Sequence, residues 1–354
     1  MHDAPRLWVP KRVLITPSAL AEPHGAAMVE RAAGLGVEVV RLPADRLAGL
    51  PDCYADAKRT LAIVNAPPSK RRPIPIPPSA DWRFDLAEGC PAHCAYCYLA
   101  GSLAGPPITR AYANLGAILG GLAAVEGQGE VTSRSPSRAA EGTTYEASCY
   151  TDPLGIEHLT GSLSAAITHF GAWDVPGGRA VELRATTKFA AVEPLLGLAH
   201  GGRTRLRFSV NAPGAARHEG GTAPLRARLR AIREVAEAGY KVGLVIAPIL
   251  PLSDWQDGYG RLLADAEAAL AGAPSLDLTV ELITHRFTAK SKDVLQGWYP
   301  GSSLEMDEAS RTRKRTKMGA EKWVLPRPLM VEMRGWFERE IGARLPGARV
   351  LYWT

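Results

Sequence analysis

Cys90-Pro91-Ala92-His93-Cys94-Ala95-Tyr96-Cys97 gathers three of the chain's five cysteines into eight residues. The spacing is Cys-x3-Cys-x2-Cys. Ferredoxin-type sites use four cysteines per cluster, and structural zinc sites close with four ligands. Three thiolates in one loop can therefore hold a four-iron (4Fe-4S) cluster and leave its fourth iron without a protein ligand. A zinc knuckle that recruits His93 is the alternative. The loop follows Trp82–Leu86, which reads as a strand. In βα folds the chemistry gathers at the carboxyl ends of strands.

Beyond this first strand, further apolar strand-like segments follow: Thr144–Cys149, Val181–Ala185, Leu206–Asn211, Val242–Ile249 and Leu278–Ile283. Amphipathic helical stretches lie between them. In the clearest, Leu225, Leu229, Ile232 and Val235 form one apolar stripe, with Pro224 near its start and Gly239 after its end. Six βα repeats predict an α/β fold, a partial and open (β/α)6 barrel of TIM type. A missing side would admit a large substrate. Residues 1–66 read as a small α/β region, with strands at Arg12–Thr16, Val37–Leu42 and Thr60–Val64 and a helix over Glu22–Leu35. The proline-rich 67–80 reads as a linker or surface strap, 81–300 as the barrel, and 301–354 as a basic C-terminal segment. Glu126–Gly142, rich in Gly, Ser, Arg and Glu, reads as a mobile surface loop.

The 354 residues, 46% hydrophobic and 22% charged, suit one large domain with appendages. A core of that size needs no disulfide staples, and clustered cysteines point to a reducing compartment. Met1–Pro17 has no apolar signal-peptide core, and the apolar run Val242–Leu252 is too short to cross a bilayer. The expectation is a cytoplasmic protein with no membrane partner, and a monomer. The formal charge of +6 favours an anionic partner. Arg311, Arg313, Lys314, Arg315, Lys317 and Lys322 concentrate that charge, and Lys70, Arg71 and Arg72 form a smaller group.

The chain resembles the spore photoproduct lyase family, radical S-adenosylmethionine (SAM) enzymes that reverse a UV-induced thymine dimer in DNA. The resemblance runs from about Ala57 to the C-terminus. Glu88-Gly89-Cys90 through Cys97-Tyr98-Leu99 carry it, with Glu146-Ala147-Ser148-Cys149 and Gly155-Ile156-Glu157-His158-Leu159-Thr160. It continues in Thr187-Lys188-Phe189, Arg207-Phe208-Ser209-Val210-Asn211-Ala212, Ala247-Pro248-Ile249 and Glu281 to Thr288. It implies a barrel of the radical SAM kind with a basic C-terminal hairpin and helix. It also implies a 4Fe-4S cluster on Cys90, Cys94 and Cys97, with SAM chelating the open iron. Lys188, Ser209, Asn211 and Ser148 would bind SAM. An electron from a flavodoxin or ferredoxin would cleave SAM to methionine and a 5′-deoxyadenosyl radical.

By the same resemblance, Cys149 gives a hydrogen atom to the thymine radical left when the dimer bond breaks. Tyr98 and Tyr96 would relay hydrogen between thiyl and deoxyadenosine, although packing against the cluster is the better reading of Tyr96 from the residues alone. UV-damaged DNA would meet Arg313, Lys314, Arg315, Lys317, Met318, Lys322 and Trp323. His285 and Arg286 would either face phosphate or cap the barrel. The hairpin has lost most of the family's tyrosines, and Met318 stands where one would contact the lesion. Tyr150 and Thr151 also depart from the family pattern. Those departures leave room for the same chemistry on a 6-4 or Dewar-type lesion. An iron–sulfur DNA-binding protein that never cleaves SAM, and a radical SAM enzyme acting on RNA or a small metabolite, are the rivals from other classes.

Overall fold

In the computed structural model, which describes residues 7–103, 105–174, 180–273, 276–315 and 321–354, all six apolar segments are strands. They are Ala80–Phe84, Thr143–Ala147, Val181–Thr187, Thr204–Val210, Lys241–Ile249 and Leu278–Thr284. The sheet order adds an edge strand at each end: Ile74–Ile76 beside Ala80–Phe84, and Arg349–Trp353 beside Leu278–Thr284. The order is linear, so among the described residues the sheet is the open, partial barrel expected. Two compact units divide the chain, one of Met1–Pro91, Ala104–Leu206 and Ala238–Lys241, the other of Ala92–Leu103, Arg207–Glu237 and Val242–Thr354.

In the first unit, Trp82 pairs with Tyr145 and Val181 with Thr143, both in parallel register. Every residue of Thr143–Ala147 is buried, as parallel strands covered on both faces require. The charges within these strands are paired. Glu182 accepts from Arg184 Nε at 3.0 Å, Arg205 Nε at 3.1 Å and Lys241 Nζ at 2.9 Å. Glu141 joins Arg184 at 2.7 Å and Arg138 at 2.8 Å. Pro75 sits in the antiparallel edge strand Ile74–Ile76, where a missing N–H costs no ladder bond.

A second sheet of this unit runs Glu38–Arg41, Arg12–Ile15, Thr60–Val64, Thr109–Tyr112, Ala87–Glu88. Helix Pro23–Gly34 lies on it, burying Met28 and Ala32 against Val13, Ile15, Leu61 and Ile63. Gly36, with φ 70°, follows its end and supplies the left-handed turn that glycine adopts without strain.

Glu126–Gly142 corrects the mobile-loop expectation. It contains a helical turn, Val131–Arg134, and a 3₁₀ segment, Pro136–Glu141. Its polar residues are fixed from below. Asp81 accepts from the Val131 amide at 2.8 Å and the Thr132 hydroxyl at 2.9 Å, and Arg138 donates to the Pro78 and Ser79 carbonyls at 2.7 and 3.0 Å. Gly142 has φ 68°, and a Cβ there would lie 1.9 Å from the Ala180 carbonyl oxygen.

In the second unit, Lys241–Ile249 and Leu278–Thr284 are parallel, Val242 opposite Leu278, and Leu278–Thr284 is parallel to Arg349–Trp353. Helix Leu225–Glu237 buries Leu229, Ile232 and Val235 of the expected stripe, leaves its first member Leu225 half-buried, and also buries Arg228. The basic segment forms an antiparallel pair, Thr312–Arg315 with Glu321–Val324, Arg313 opposite Trp323. Helix Arg327–Arg344 follows and buries Met333, Phe337 and Ile341. No helix of the described residues is long and apolar enough to cross a membrane.

Candidate active site

The cysteine loop spends its backbone on holding shape. In the second unit, His93–Cys94 is a two-residue strand paired antiparallel with Glu219–Gly220. The Ala95 amide donates to the His218 carbonyl at 2.9 Å. The Cys97 amide donates to the Cys94 carbonyl at 3.1 Å, and Cys97 leads into the 3₁₀ turn Tyr98–Gly101. Cys94 is buried and Cys97 half-buried. Tyr96 is 8% exposed and its hydroxyl donates to Glu219, whereas Tyr98 is 63% exposed. The two tyrosines, alike in sequence, thus differ in kind. Burial, then the neighbouring Cys94 and Glu219 charges, pushes the Tyr96 phenol well above its ordinary pKa.

Cys90 belongs to the first unit, where its carbonyl accepts from the buried Lys58 ammonium. Gly89 before it has φ 77°, and a Cβ there would lie 2.1 Å from the Ile108 carbonyl oxygen. None of the five cysteines is in a disulfide. Among the described residues no group of three or more His, Cys, Asp or Glu side chains forms a ready metal centre. The donor set nonetheless has the right chemistry for iron, since soft thiolates are the ligands that iron–sulfur clusters select.

The other first-unit candidates lie past the ends of two strands. Ser148, just beyond Thr143–Ala147, has φ 60° and is buried. Its hydroxyl accepts from the Leu86 amide at 2.9 Å, and its amide donates to the Phe84 carbonyl at 2.7 Å. That engagement makes it a brace for the turn. The strained turn presents half-buried Cys149 and Tyr150. Arg83 lies 4.4 Å and Lys70 5.5 Å from the Tyr150 ring centroid.

Lys188 is half-buried at the end of Val181–Thr187. Asp152, which sequence reasoning missed, anchors it. Its carboxylate accepts from the Lys188 amide at 2.6 Å, the Thr187 hydroxyl at 2.8 Å and the Gly155 amide at 3.2 Å. Burial drives the Asp152 pKa up to about 6, and those donors and the Lys188 charge restrain it. The only cue in the sequence was its place three residues after Cys149.

In the second unit, Ser209 and Asn211 stand at the end of Thr204–Val210. The Ser209 hydroxyl reaches the Ala247 carbonyl at a long 3.4 Å. Asn211 donates to the Pro248 carbonyl at 2.9 Å and accepts from the Tyr259 hydroxyl at 3.0 Å and the Ala212 amide at 3.1 Å. Most of its amide is thereby committed to shaping the strand end.

His285 is 2% exposed. Burial, then Arg311, lowers its pKa to about 3, and its amide donates to the Ile249 carbonyl at 3.0 Å. The ring is thus enclosed beside the end of Leu278–Thr284. Arg286 is exposed, as are all four residues of Thr312–Arg315. Lys322 and Trp323 are half-buried, and Trp323 stacks on Phe287 with centroids 5.9 Å apart and planes 9° from parallel. Lys317 and Met318 lie outside the described residues.

Parallel βα repeats in a linear, open sheet define a protein of the partial-barrel class. The family model for spore photoproduct lyase matches residues 8–354. Spore photoproduct lyase of Geobacillus sp. (strain Y412MC61) is 38% identical over 98% of this chain and 99% of its own length. That of Bacillus subtilis (strain 168) is 35% identical over the same shares. A solved spore photoproduct lyase variant with bound AdoMet and dinucleoside spore photoproduct superposes with a TM-score of 0.87 at 36% identity, covering 99% of this chain and all of that one. A second solved structure, spore photoproduct lyase complexed with dinucleoside spore photoproduct, gives the same TM-score. The chain belongs to the spore photoproduct lyase family.

Proposed function

We propose that the protein repairs spore photoproduct in DNA by direct reversal, using SAM and a 4Fe-4S cluster held by Cys90, Cys94 and Cys97. The observation that carries this reading is the family match over residues 8–354, with all three loop cysteines and Cys149 present in it. When bound, the cluster and SAM supply a carbon-centred radical able to take hydrogen from an unactivated C–H bond. A flavodoxin or ferredoxin is the expected class of electron donor.

The chain's own residues then have separable tasks. Lys188, with Asp152 fixing its backbone, offers an ammonium to the SAM carboxylate. Ser209 and Asn211, at the end of Thr204–Val210, offer hydroxyl and amide groups suited to SAM's ribose or amino-acid part. Cys149 offers a thiol hydrogen: its S–H bond breaks, a C–H bond forms on the thymine radical, and a thiyl radical remains. Of the two tyrosines, the exposed Tyr98 is the one assigned to return a hydrogen atom. The hairpin cations hold phosphate while the lesion leaves the stack, which a damaged pair does at reduced cost.

The same chemistry on another UV lesion is the second reading. Tyr150, beside Cys149 and flanked by Arg83 and Lys70, is the observation favouring it. Anaerobic protein loaded with iron and sulfide, then reduced with SAM and offered defined lesion oligonucleotides, tests both. Two intact thymines from the spore photoproduct substrate support the first reading, and conversion of a 6-4 or Dewar substrate alone supports the second. No 5′-deoxyadenosine with any substrate would end both in favour of a non-catalytic DNA-binding protein.

A further inference from the structure

Glu219 is a buried acid that the proposed chemistry does not use. It sits directly opposite Cys94 in the short antiparallel pair. Its carboxylate, with no exposed side-chain surface, accepts from the Tyr96 hydroxyl and from Arg228 Nη2 at 2.5 Å. Arg228 is also buried. It donates Nη1 to the Ser209 carbonyl at 2.7 Å, Nε to the Ala223 carbonyl at 2.8 Å and Nη2 to the Thr222 hydroxyl at 3.0 Å. The Thr222 hydroxyl donates in turn to the Glu219 carbonyl at 2.8 Å. One ion pair is therefore tied to Cys94 through backbone, to Tyr96 through its phenol, and to Ser209 through its carbonyl.

Packing alone does not call for such a pair. Burying two charges costs desolvation energy, and apolar residues of similar volume often serve stability as well or better. What apolar residues cannot supply is directional bonds to three separate points, and two fixed charges next to a ligand loop. Iron–sulfur potentials respond to net charge, hydrogen bonding and solvent exposure around the cluster. In a poorly screened interior, single charges act over many ångströms.

We infer that Glu219 and Arg228 are positioning residues for the cysteine loop: together they clamp the Cys94–Cys97 turn to the Ser209 end of its strand, and their opposed charges set the field at the cluster. This rests on the reading of Cys94 and Cys97 as cluster ligands. It makes a signed prediction. Removing the carboxylate takes away a negative charge that opposes electron gain, so the cluster becomes easier to reduce. Removing the guanidinium does the opposite. General loosening of the loop would move both variants the same way.

The test compares wild type, Glu219→Gln, Arg228→Met and Tyr96→Phe, each loaded anaerobically with ferrous iron and sulfide. Iron per chain and the midpoint potential without SAM are the readouts, so no activity is needed. Glu219→Gln should raise the potential and Arg228→Met lower it. Each should change the reduced-to-oxidised ratio at fixed potential by about tenfold, which is about 59 mV for one electron. Tyr96→Phe removes one donor from Glu219 while leaving the ion pair, and should shift the potential in the Arg228→Met direction by less. Shifts of the same sign in Glu219→Gln and Arg228→Met, or unmoved potentials in all three, overturn the inference. If those two variants do not fold, an unmoved potential in Tyr96→Phe overturns it. Wild type that takes up no iron removes the cluster reading and this inference with it. Iron-loaded wild type with unmoved variants removes this inference alone.

Discussion

The Lys188 amide donates to one oxygen of Asp152 at 2.6 Å while the Thr187 hydroxyl donates to the other at 2.8 Å. The carboxylate thus fixes the backbone on which the proposed SAM-binding ammonium stands. Its raised pKa, about 6 against an ordinary 3.8, means the native state holds this proton more tightly than the unfolded chain. The group's contribution to stability is therefore greatest on the acid side and falls as pH rises through roughly 4 to 6, then levels off. Asp152→Asn places an amide against the Lys188 N–H and should cost about 1–3 kcal/mol. Denaturant titrations of wild type and variant should show their stability difference shrinking between about pH 4 and pH 6. A difference independent of pH would mean that Asp152 does not titrate there.

Cys149 follows a turn that is rigid by construction, since Ser148 at φ 60° is bonded through both its amide and its hydroxyl to the neighbouring strand end. Cys149→Ala should leave that turn intact and remove only the thiol hydrogen. Lesion consumption should persist while the product changes, because another donor must quench the thymine radical. Chromatography of the digested oligonucleotide after single turnover checks this. Clean formation of two thymines at the wild-type rate would show that the thiol is a packing residue.

The strands were readable because each carries a run of apolar residues long enough to cross a sheet. Leu206–Asn211 was read as a strand although Arg207 interrupts the pattern, since Leu206, Phe208 and Val210 keep the apolar positions, and the observed strand, Thr204–Val210, takes in Arg205 as well. What the sequence could not show is where those arginines go. Arg205 meets Glu182 and Arg207 meets Glu281, at 3.1 and 2.8 Å, partners that no local pattern announces. Asp81 misled in the same way. It orders a Gly- and Ser-rich stretch fifty residues further on, and composition alone read that stretch as mobile. The three-cysteine loop was legible as a motif, yet the Tyr96–Glu219 hydrogen bond joins residues 123 apart and emerges only from the fold.

Glu182 gives a test of the buried charge network. Burial alone would raise its pKa, but Arg184, Arg205 and Lys241 outweigh burial and hold it far below the usual carboxylate range. A depressed folded pKa contributes stability above the unfolded value, near 4.5, that is lost as pH falls below it. Glu182→Gln leaves three cations facing one another and should cost about 3–5 kcal/mol at neutral pH. Its stability should also decline less steeply than wild type on acidification. Parallel curves for the two proteins, measured by chemical denaturation from pH 7 downward, would show that the network is not ionised as drawn.

The hairpin supplies the remaining test, because its cations are held loosely enough to serve another partner. Arg313 and Arg315 lie 3.5 and 3.6 Å from Glu321, with 65% and 78% of their side chains exposed. Exposed pairs of this kind contribute about 0–1 kcal/mol, so either arginine can leave Glu321 for a phosphate at little cost. Removing one phosphate-binding cation should lower the slope of log affinity against log salt by about 1. Arg313→Ala and Arg315→Ala should each weaken binding to damaged and undamaged duplex alike, since phosphate carries no lesion information. Trp323→Ala should instead act on damaged DNA preferentially, because it removes an aromatic surface stacked on Phe287 and no charge. Fluorescence anisotropy over a salt series separates the two effects. An unchanged salt slope in both arginine variants would move the DNA surface away from Thr312–Arg315.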